Sequence, residues 1–447
     1  MEPLFLTNCR IYTMDPGHPA ASALLIQEGK IAAVLNGPEV EDHPAGVEIQ
    51  DLEGRTIIPG LIDAHLHLRQ YAETLQMIDC ETETRRECIE RVAERVRNTK
   101  PGKWILGHGW NHNRWDDGYG TAEELDRITT DHPIYLTGKS LHVSWANSAA
   151  LEKAGIGEGF TDPPGGSFQR DEKGLPTGIV FEKAVKLVED VIPKPSIEET
   201  TQNILTAQKS LLKMGITGVH DFDRELCIQA LQYLGENDQL RLRVLKSIPK
   251  EFLDQAIEAG YQTGNGSDWL WYGGVKLFTD GALGPKTAAM LEPYEGSDEL
   301  GLLLLSEDEL YEIGIKAAKH GLSLSVHAIG DLANRTVLDA IERLRAYETA
   351  EGIQPLPHRI EHVQLIDPED VTRLAELNVT ASMQPIHATS DMEMAEKYWG
   401  KRTAYAYAPL HQYKAGALVA FGSDAPVENP NPWWGIHSAV TRRKADG

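Results

Sequence analysis

Cysteine is scarce in this sequence of 447 residues: Cys9, Cys80, Cys88 and Cys227 are scattered and form no CxxC pair. Such spacing excludes a disulfide framework and fits a reduced, intracellular setting. Long apolar runs are missing as well. No stretch reaches the roughly 18 residues that a membrane-spanning helix needs. The opening MEPLFLTNCRIYTMD has an acidic second residue and too short an apolar stretch for a signal peptide. A cytoplasmic location is expected. Basic residues number 43 against 67 acidic ones, a net charge of −24. A chain so acidic offers no basic patch to repay approach to phosphate, which excludes nucleic acid and anionic membrane as partners. What remains, 41% hydrophobic and 25% charged residues, is the composition of an ordinary soluble globular protein. The length suits one large α/β domain with accessory parts. A small-molecule substrate is the expected partner, with a homo-oligomer left open.

Residues 1–58 read as short strands broken by turns, with hairpins expected around EGK and LEGR, so this is a small β-rich module. From about 70 to 200 the pattern is mixed: a helix over RRECIERVAERVRNT, strands at WILGHGW and IYLTGKS, and the Gly/Pro-rich TDPPGGSFQRDEKGLPTG. Beyond about 200, helical segments alternate with short apolar strands at 215–222, 240–247, 273–282, 322–331, 358–365, 379–386 and 417–427. One such helix is framed by Ser306 at its start and Gly321 at its end. Adding PGLIDAHLHL, residues 59–68, gives eight strands, each followed by a crossover. The pattern predicts an α/β protein whose residues 59–447 form a (β/α)8 TIM-type barrel with an insertion after strand one. A doubly wound sheet would instead carry Gly-rich phosphate turns.

Functional groups in such barrels sit at the C-terminal strand ends. That rule selects His65 and His67 on strand one, Lys276 on strand four, His327 on strand five, His362 on strand six and Asp424 on strand eight. His65 and His67, two positions apart, share one face of a strand and can both point into the barrel mouth. HxH alone is a weak signal, more often two partly exposed histidines at a strand end than a metal site. Lys276 in an apolar strand is open to two readings. It snorkels or pairs with Asp280, or it loses its proton and takes up carbon dioxide as a carbamate able to bridge two ions. Asp424 either caps an Asx-turn before Pro426 or binds metal and accepts a proton from the attacking water. His358 reads as a bottom-face residue. Six metal-competent groups at one end of one inferred barrel favour a divalent metal centre over six coincidences.

The stretches AHLHL, GVKLFTDGALG, VHAIGD, RIEHVQ and GSDAPV resemble the amidohydrolase superfamily, in the subgroup typified by N-substituted formamide deformylase, from the N-terminus to about residue 440. The resemblance implies one or two divalent ions, usually zinc. His65 and His67 would hold the more buried ion with Asp424, His327 and His362 the more exposed one, and Lys276 would bridge them as a carbamate. It implies hydrolysis of a linear C–N amide bond of the N-formyl or N-acyl amine class, by attack of a metal-bound hydroxide, with Asp424 passing the proton to the leaving amine. GHGWNHNRWDD and LHVSWANSAAL resemble the same subgroup, where this insertion helps cover the site. Trp110, His112, Trp115, His142 and Trp145 are therefore candidate substrate contacts, with packing as the other reading.

Family members continue past strand eight with a helix and a segment that pairs with the N-terminal strands. The sequence ends at WWGIHSAVTRRKADG, so residues 1–58 are expected to lack partner strands and the last barrel helix to be short or missing. Two alternatives to amide hydrolysis stay open: deamination, which does not need the bridging lysine, and an inactive truncated relative.

Overall fold

The computed structural model describes residues 2–36, 46–112, 115–139 and 143–444. The chain divides into two compact units, Met1–Ile62 with Gly215–Gly218, and Asp63–Met214 with Val219–Gly447.

Eight strands form the expected barrel: Leu61–Leu66, Ile216–Asp221, Arg243–Pro249, Leu270–Phe278, Leu324–Ala328, Arg359–His362, Thr380–Met383 and Val419–Phe421. They lie side by side in sequence order, and the neighbours from strand three to strand eight pair in parallel. Side-chain alternation divides each strand between two environments. Val275, Leu277, Leu324, Val326, Ala328, Ile360 and Ala381 join the apolar layer shared with the surrounding helices. The alternate positions Lys276, Ser325, His327, Arg359, Glu361 and Ser382 carry the polar groups. Register aligns the functional ends: Phe278 lies opposite His327, and Ala328 opposite His362.

The helices follow local signals. Glu307–Lys319 begins with a capping box in which Ser306 and Glu309 each satisfy the other's backbone N–H. Acidic residues fill its first turn and lysines its last, matching the helix dipole. Asp331–Glu351 ends at Gly352, whose φ of 66° suits a residue without Cβ.

Strands one and eight close the barrel through the chain just beyond strand eight. Asp424 N donates to His65 O (2.7 Å) and His67 N to Ala425 O (2.8 Å). The Asp63 carboxylate accepts both His65 N (3.1 Å) and Ser423 N (3.0 Å). A Cβ on Gly422 would stand 2.4 Å from His65 N, so only glycine allows this approach. Helix Pro432–Thr441, ten residues long, follows strand eight.

The N-terminal module is β-rich as expected: a four-stranded sheet and a three-stranded sheet. EGK does form a hairpin, Ala23–Gln27 against Lys30–Leu35. LEGR does not. Glu48–Asp51 pairs in parallel with Leu4–Thr7, whereas Thr56–Ile57 pairs in parallel with Arg10–Tyr12 in the other sheet. The positive φ angles of Glu53 and Gly54 turn the chain from one sheet to the next instead of back on itself.

The insertion builds its own six-stranded sheet from Ile78–Asp79, Ile105–Trp110, Ile134–Gly138, Val143–Ala146, Gly166–Arg170 and Pro176–Glu182. Among the described residues no helix is long and apolar enough to cross a membrane.

Candidate metal centre

The five donors from strands one, five, six and eight, together with Lys276, meet at the C-terminal end of the barrel. Ring centroids of His65 and His362 are 5.0 Å apart and those of His327 and His362 4.6 Å. Asp424 Oδ1 lies 3.5 Å from His65 Nε2 and 3.4 Å from His67 Nε2. Donor atoms of His65, His67 and Asp424 all fall within 4.8 Å of one another, and so do those of His362, His387 and Asp424.

Two of these residues reach the site through unusual backbone. Alternation would send His362 outward beside Ile360, which is buried among the helices. Instead His362 has φ 81°, Val363 φ 42° and Asp424 φ 61°. Left-handed backbone at non-glycine residues costs on the order of 1–3 kcal/mol each and clusters at functional sites. Here it turns donors toward the mouth, His362 at the last position of its strand and Asp424 just past its own.

The tautomers are set by neighbours. His65 Nδ1 donates to Glu361 Oε2 at 2.7 Å, and His362 Nδ1 donates to the side-chain carbonyl of Gln384 at 2.8 Å. Both arrangements leave an Nε2 lone pair free for an ion. His327 Nε2 donates to Gly281 O at 2.9 Å, which frees its Nδ1. Burial lowers the pKa of His65 to about 4, against the opposing pull of Glu361, and pushes His362 well below the imidazole range. Neutral imidazole is the form that binds metal. At Asp424, burial works against ionisation, but hydrogen bonds from His387 and His67 hold the carboxyl well below its usual value.

Lys276 is deeply buried, and its Nζ has no hydrogen-bond partner among the described residues. The amine instead lies 4.7 Å from the ring centroids of both Phe222 and Phe278. It does not pair with Asp280, whose carboxylate accepts backbone N–H groups of Ala289, Ile329 and Gly330. Burial lowers the Lys276 pKa to about 8. A buried amine, the neutral imidazoles of His65, His327 and His362 and an ionised carboxylate form a donor set that fits divalent metal, whereas His67, raised to about 9 against burial by Asp223 and Asp424, must first give up a proton.

The sequence assigns no role to three contributors, although it places Asp223 near the mouth at the end of strand two. His387 follows strand seven by four residues and places Nε2 3.3 Å from Asp424 Oδ2. Glu361 adjoins His362 in RIEH and grips His65. Asp223 accepts Arg69 N and Gln70 N, pinning the turn after His67, and its Oδ1 is 3.7 Å from His67 Nδ1. Extending the strand-end filter to the short segment after strand seven finds His387. The Glu361 contact crosses the barrel interior and has no local signature.

A third acidic group, Asp221, Asp223 and Cys227, also has ligand spacing. There the Lys246 ammonium sits 3.0 Å from Asp221 Oδ2 and donates to Asp223 O, so a side chain already supplies the positive charge. His358 lies at the opposite end of strand six, where its Nδ1 accepts Leu324 N.

Trp110, Trp115 and Trp145 are 1%, 4% and 0% exposed and form the core of the insertion. Their indole N–H groups donate to Leu136 O, Thr82 O and Thr121 O. His112 stacks on Tyr119 in the same aromatic cluster. His142 lies outside the described residues. A small cleft adjoins the centre, lined by His362, Gln364, Gln384, Pro385, His387 and Tyr407 among others.

Comparison with known proteins is consistent along the whole chain. The model of the amidohydrolase family matches residues 48–447. The chain is 33% identical to "Protein LONG AFTER FAR-RED 3" of Arabidopsis thaliana, covering 98% of this chain and 78% of that protein. It is 28% identical to N-substituted formamide deformylase of Arthrobacter pascens, covering 100% and 85%. Among solved structures, an uncharacterized metal-dependent hydrolase from Pyrococcus furiosus superposes with a TM-score of 0.81 at 30% identity, over 98% of this chain and 89% of that one.

Proposed function

The chain belongs to the amidohydrolase family, of metal-dependent hydrolases, and from that premise we propose that it cleaves a linear C–N amide bond in an N-formyl or N-acyl amine. One observation carries the reading: imidazoles from strands one, five and six and the strand-eight carboxylate converge near a buried lysine that has no hydrogen-bond partner among the described residues. Similarity to N-substituted formamide deformylase supports the substrate class.

His65, His67 and Asp424 would hold one ion, and His327 and His362 a second, with Lys276 as a carbamate between them. Imidazole nitrogen and carboxylate oxygen donors favour zinc. When bound, the metal supplies Lewis acidity toward the scissile carbonyl and lowers the pKa of water to near neutrality. The remaining work belongs to the chain. Gln384 holds the His362 ring so that Nε2 faces inward. Burial keeps Lys276 able to lose its proton, the condition for its nitrogen to add to carbon dioxide. Asp424 accepts the proton of the attacking water and delivers it to the leaving nitrogen as the C–N bond breaks.

The test is free-amine release from a panel of N-formyl and N-acyl amines by zinc-loaded protein. Turnover with at least one of them is expected. Protein with stoichiometric zinc that cleaves no amide, formamide, carbamate or lactone overturns the reading.

A further inference from the structure

Barrel interiors of this type are filled mostly by branched aliphatic residues. Strand six instead places a guanidinium there. Arg359 Nε donates to Glu361 Oε1 (2.5 Å) and its Nη2 lies 3.0 Å from Glu361 Oε2. Its remaining N–H groups reach His220 Nδ1, Ala64 O and Ser382 Oγ, each at 2.6 Å. Arg359 therefore ties strand six to strands one, two and seven. Arg359 and Glu361 are two apart and share one strand face, so a single strand supplies both charges. Glu361 is 0% exposed, and its Oε2 also accepts His65 Nδ1–H at 2.7 Å.

A buried ion pair is weak evidence of stabilisation, because desolvation offsets much of the attraction. What this arrangement does provide is direction. Both carboxylate oxygens are acceptors, so His65 can meet Glu361 only with a proton on Nδ1. Glutamine of the same shape would have to turn one N–H₂ toward either Arg359 or His65. Kept acceptor-first toward the guanidinium, it would donate to His65 Nδ1 and drive the proton to Nε2.

We propose that Glu361, locked by Arg359, is the positioning residue that fixes the Nδ1–H tautomer of His65 and thereby aims its Nε2 lone pair at the metal. The inference rests on the metal-hydrolase reading for the identity of the ion, but not for the tautomer.

The opposite end of the barrel provides a control. Arg345 Nη1 donates to Glu348 Oε2 (2.7 Å), and Glu348 Oε1 is 3.5 Å from His358 Nε2, a similar trio far from the centre. Zinc affinity would be measured by chelator competition for the full-length wild type, Glu361→Gln and Glu348→Gln, with the absorption spectrum of cobalt-loaded protein. Glu361→Gln should bind zinc about 10–100-fold more weakly, the usual cost of losing such a partner, and shift the cobalt bands. Glu348→Gln should lower Tm and leave zinc affinity within about twofold. Wild-type zinc affinity in Glu361→Gln overturns the inference.

Should Glu361→Gln fail to fold, long-range ¹H–¹⁵N spectra of metal-free wild type decide the matter, with His65→Asn for assignment. A proton on Nδ1 of His65 is expected, and a proton on Nε2 refutes the proposal. If the wild type binds no zinc at all, the hydrolase reading falls while the tautomer measurement still judges this one.

Discussion

His387 Nε2 stands 3.3 Å from Asp424 Oδ2, while the other oxygen of that carboxylate faces His65 and His67 at 3.5 and 3.4 Å. Asp424 is thus held from strands one and seven at once. His387→Asn should lower kcat about 10–100-fold with zinc content unchanged, the usual range for a partner that orients a ligand. Asp424→Asn should lose both zinc and turnover, by about 10²–10⁴ in kcat for a missing proton carrier. Metal analysis and steady-state kinetics on the two variants separate these outcomes. Equal loss of metal in both would make His387 a ligand.

Lys276 should carry the mass of one carbon dioxide in intact protein analysed under native conditions, because its buried amine has no competing hydrogen bond among the described residues. Lys276→Arg cannot form a carbamate, since guanidinium stays protonated. Its turnover should fall by at least about 10²-fold, the scale of a misplaced ion or ligand. An unmodified lysine in fully active enzyme refutes the bridging role.

Chelation should abolish activity, and zinc alone should restore it. Bound ion stabilises the fold by mass action, about 4 kcal/mol when free zinc is a thousandfold above Kd. Thermal unfolding of stripped and reloaded protein measures the difference. Identical Tm values with retained activity would argue for a metal-free hydrolase.

Acid stability gives a separate handle on the barrel interior. Burial and the adjacent Arg359 guanidinium pull the His220 pKa down to about 4 from 6.5. In the unfolded chain this imidazole takes up its proton first as pH falls. The folded state therefore keeps its full stability above about pH 6.5 and loses it progressively toward pH 4, by on the order of 2–3 kcal/mol. His220→Gln should flatten that stretch of the stability profile in urea titrations. An unchanged slope would place the acid sensitivity elsewhere.

Trp145 tests the role of the insertion's aromatic cluster. It is fully buried and its indole N–H is taken by Thr121 O. Trp145→Ala should cost about 3–5 kcal/mol of stability. The milder Trp145→Phe should fold with KM within about twofold of wild type, well under the loss expected from removing a substrate contact. A large rise in KM without loss of stability would restore Trp145 as a pocket residue.

The barrel was legible because its strands alternate with capped helices at regular spacing. Ser306 and Gly321 marked a helix end for end, and HxH sits where its strand ends, with His65 inside the strand and His67 just past it at the start of a helix. Strand-end histidines and Asp424 were found by the same rule. What the letters hide is contact across the barrel. Nothing near residue 361 announces His65 as its partner, and nothing at His362 announces that a φ of 81° will override alternation. The LEGR turn misled because a turn signal says that the chain bends, not which sheet receives it. Trp110, Trp115 and Trp145 show the same limit, since an aromatic-rich motif reads alike whether it packs or binds.

The seam between the first and last strands carries a consequence for biogenesis. His65 and Asp424 come from opposite ends of the barrel's sequence and meet only when the final strand docks against the first. A chain whose final strand has not yet docked holds the histidines but no assembled cage, and an ion captured then would be held by a partial set of ligands. Assembly of the donor set is thereby tied to the most non-local pairing in the domain, a step expected late in folding.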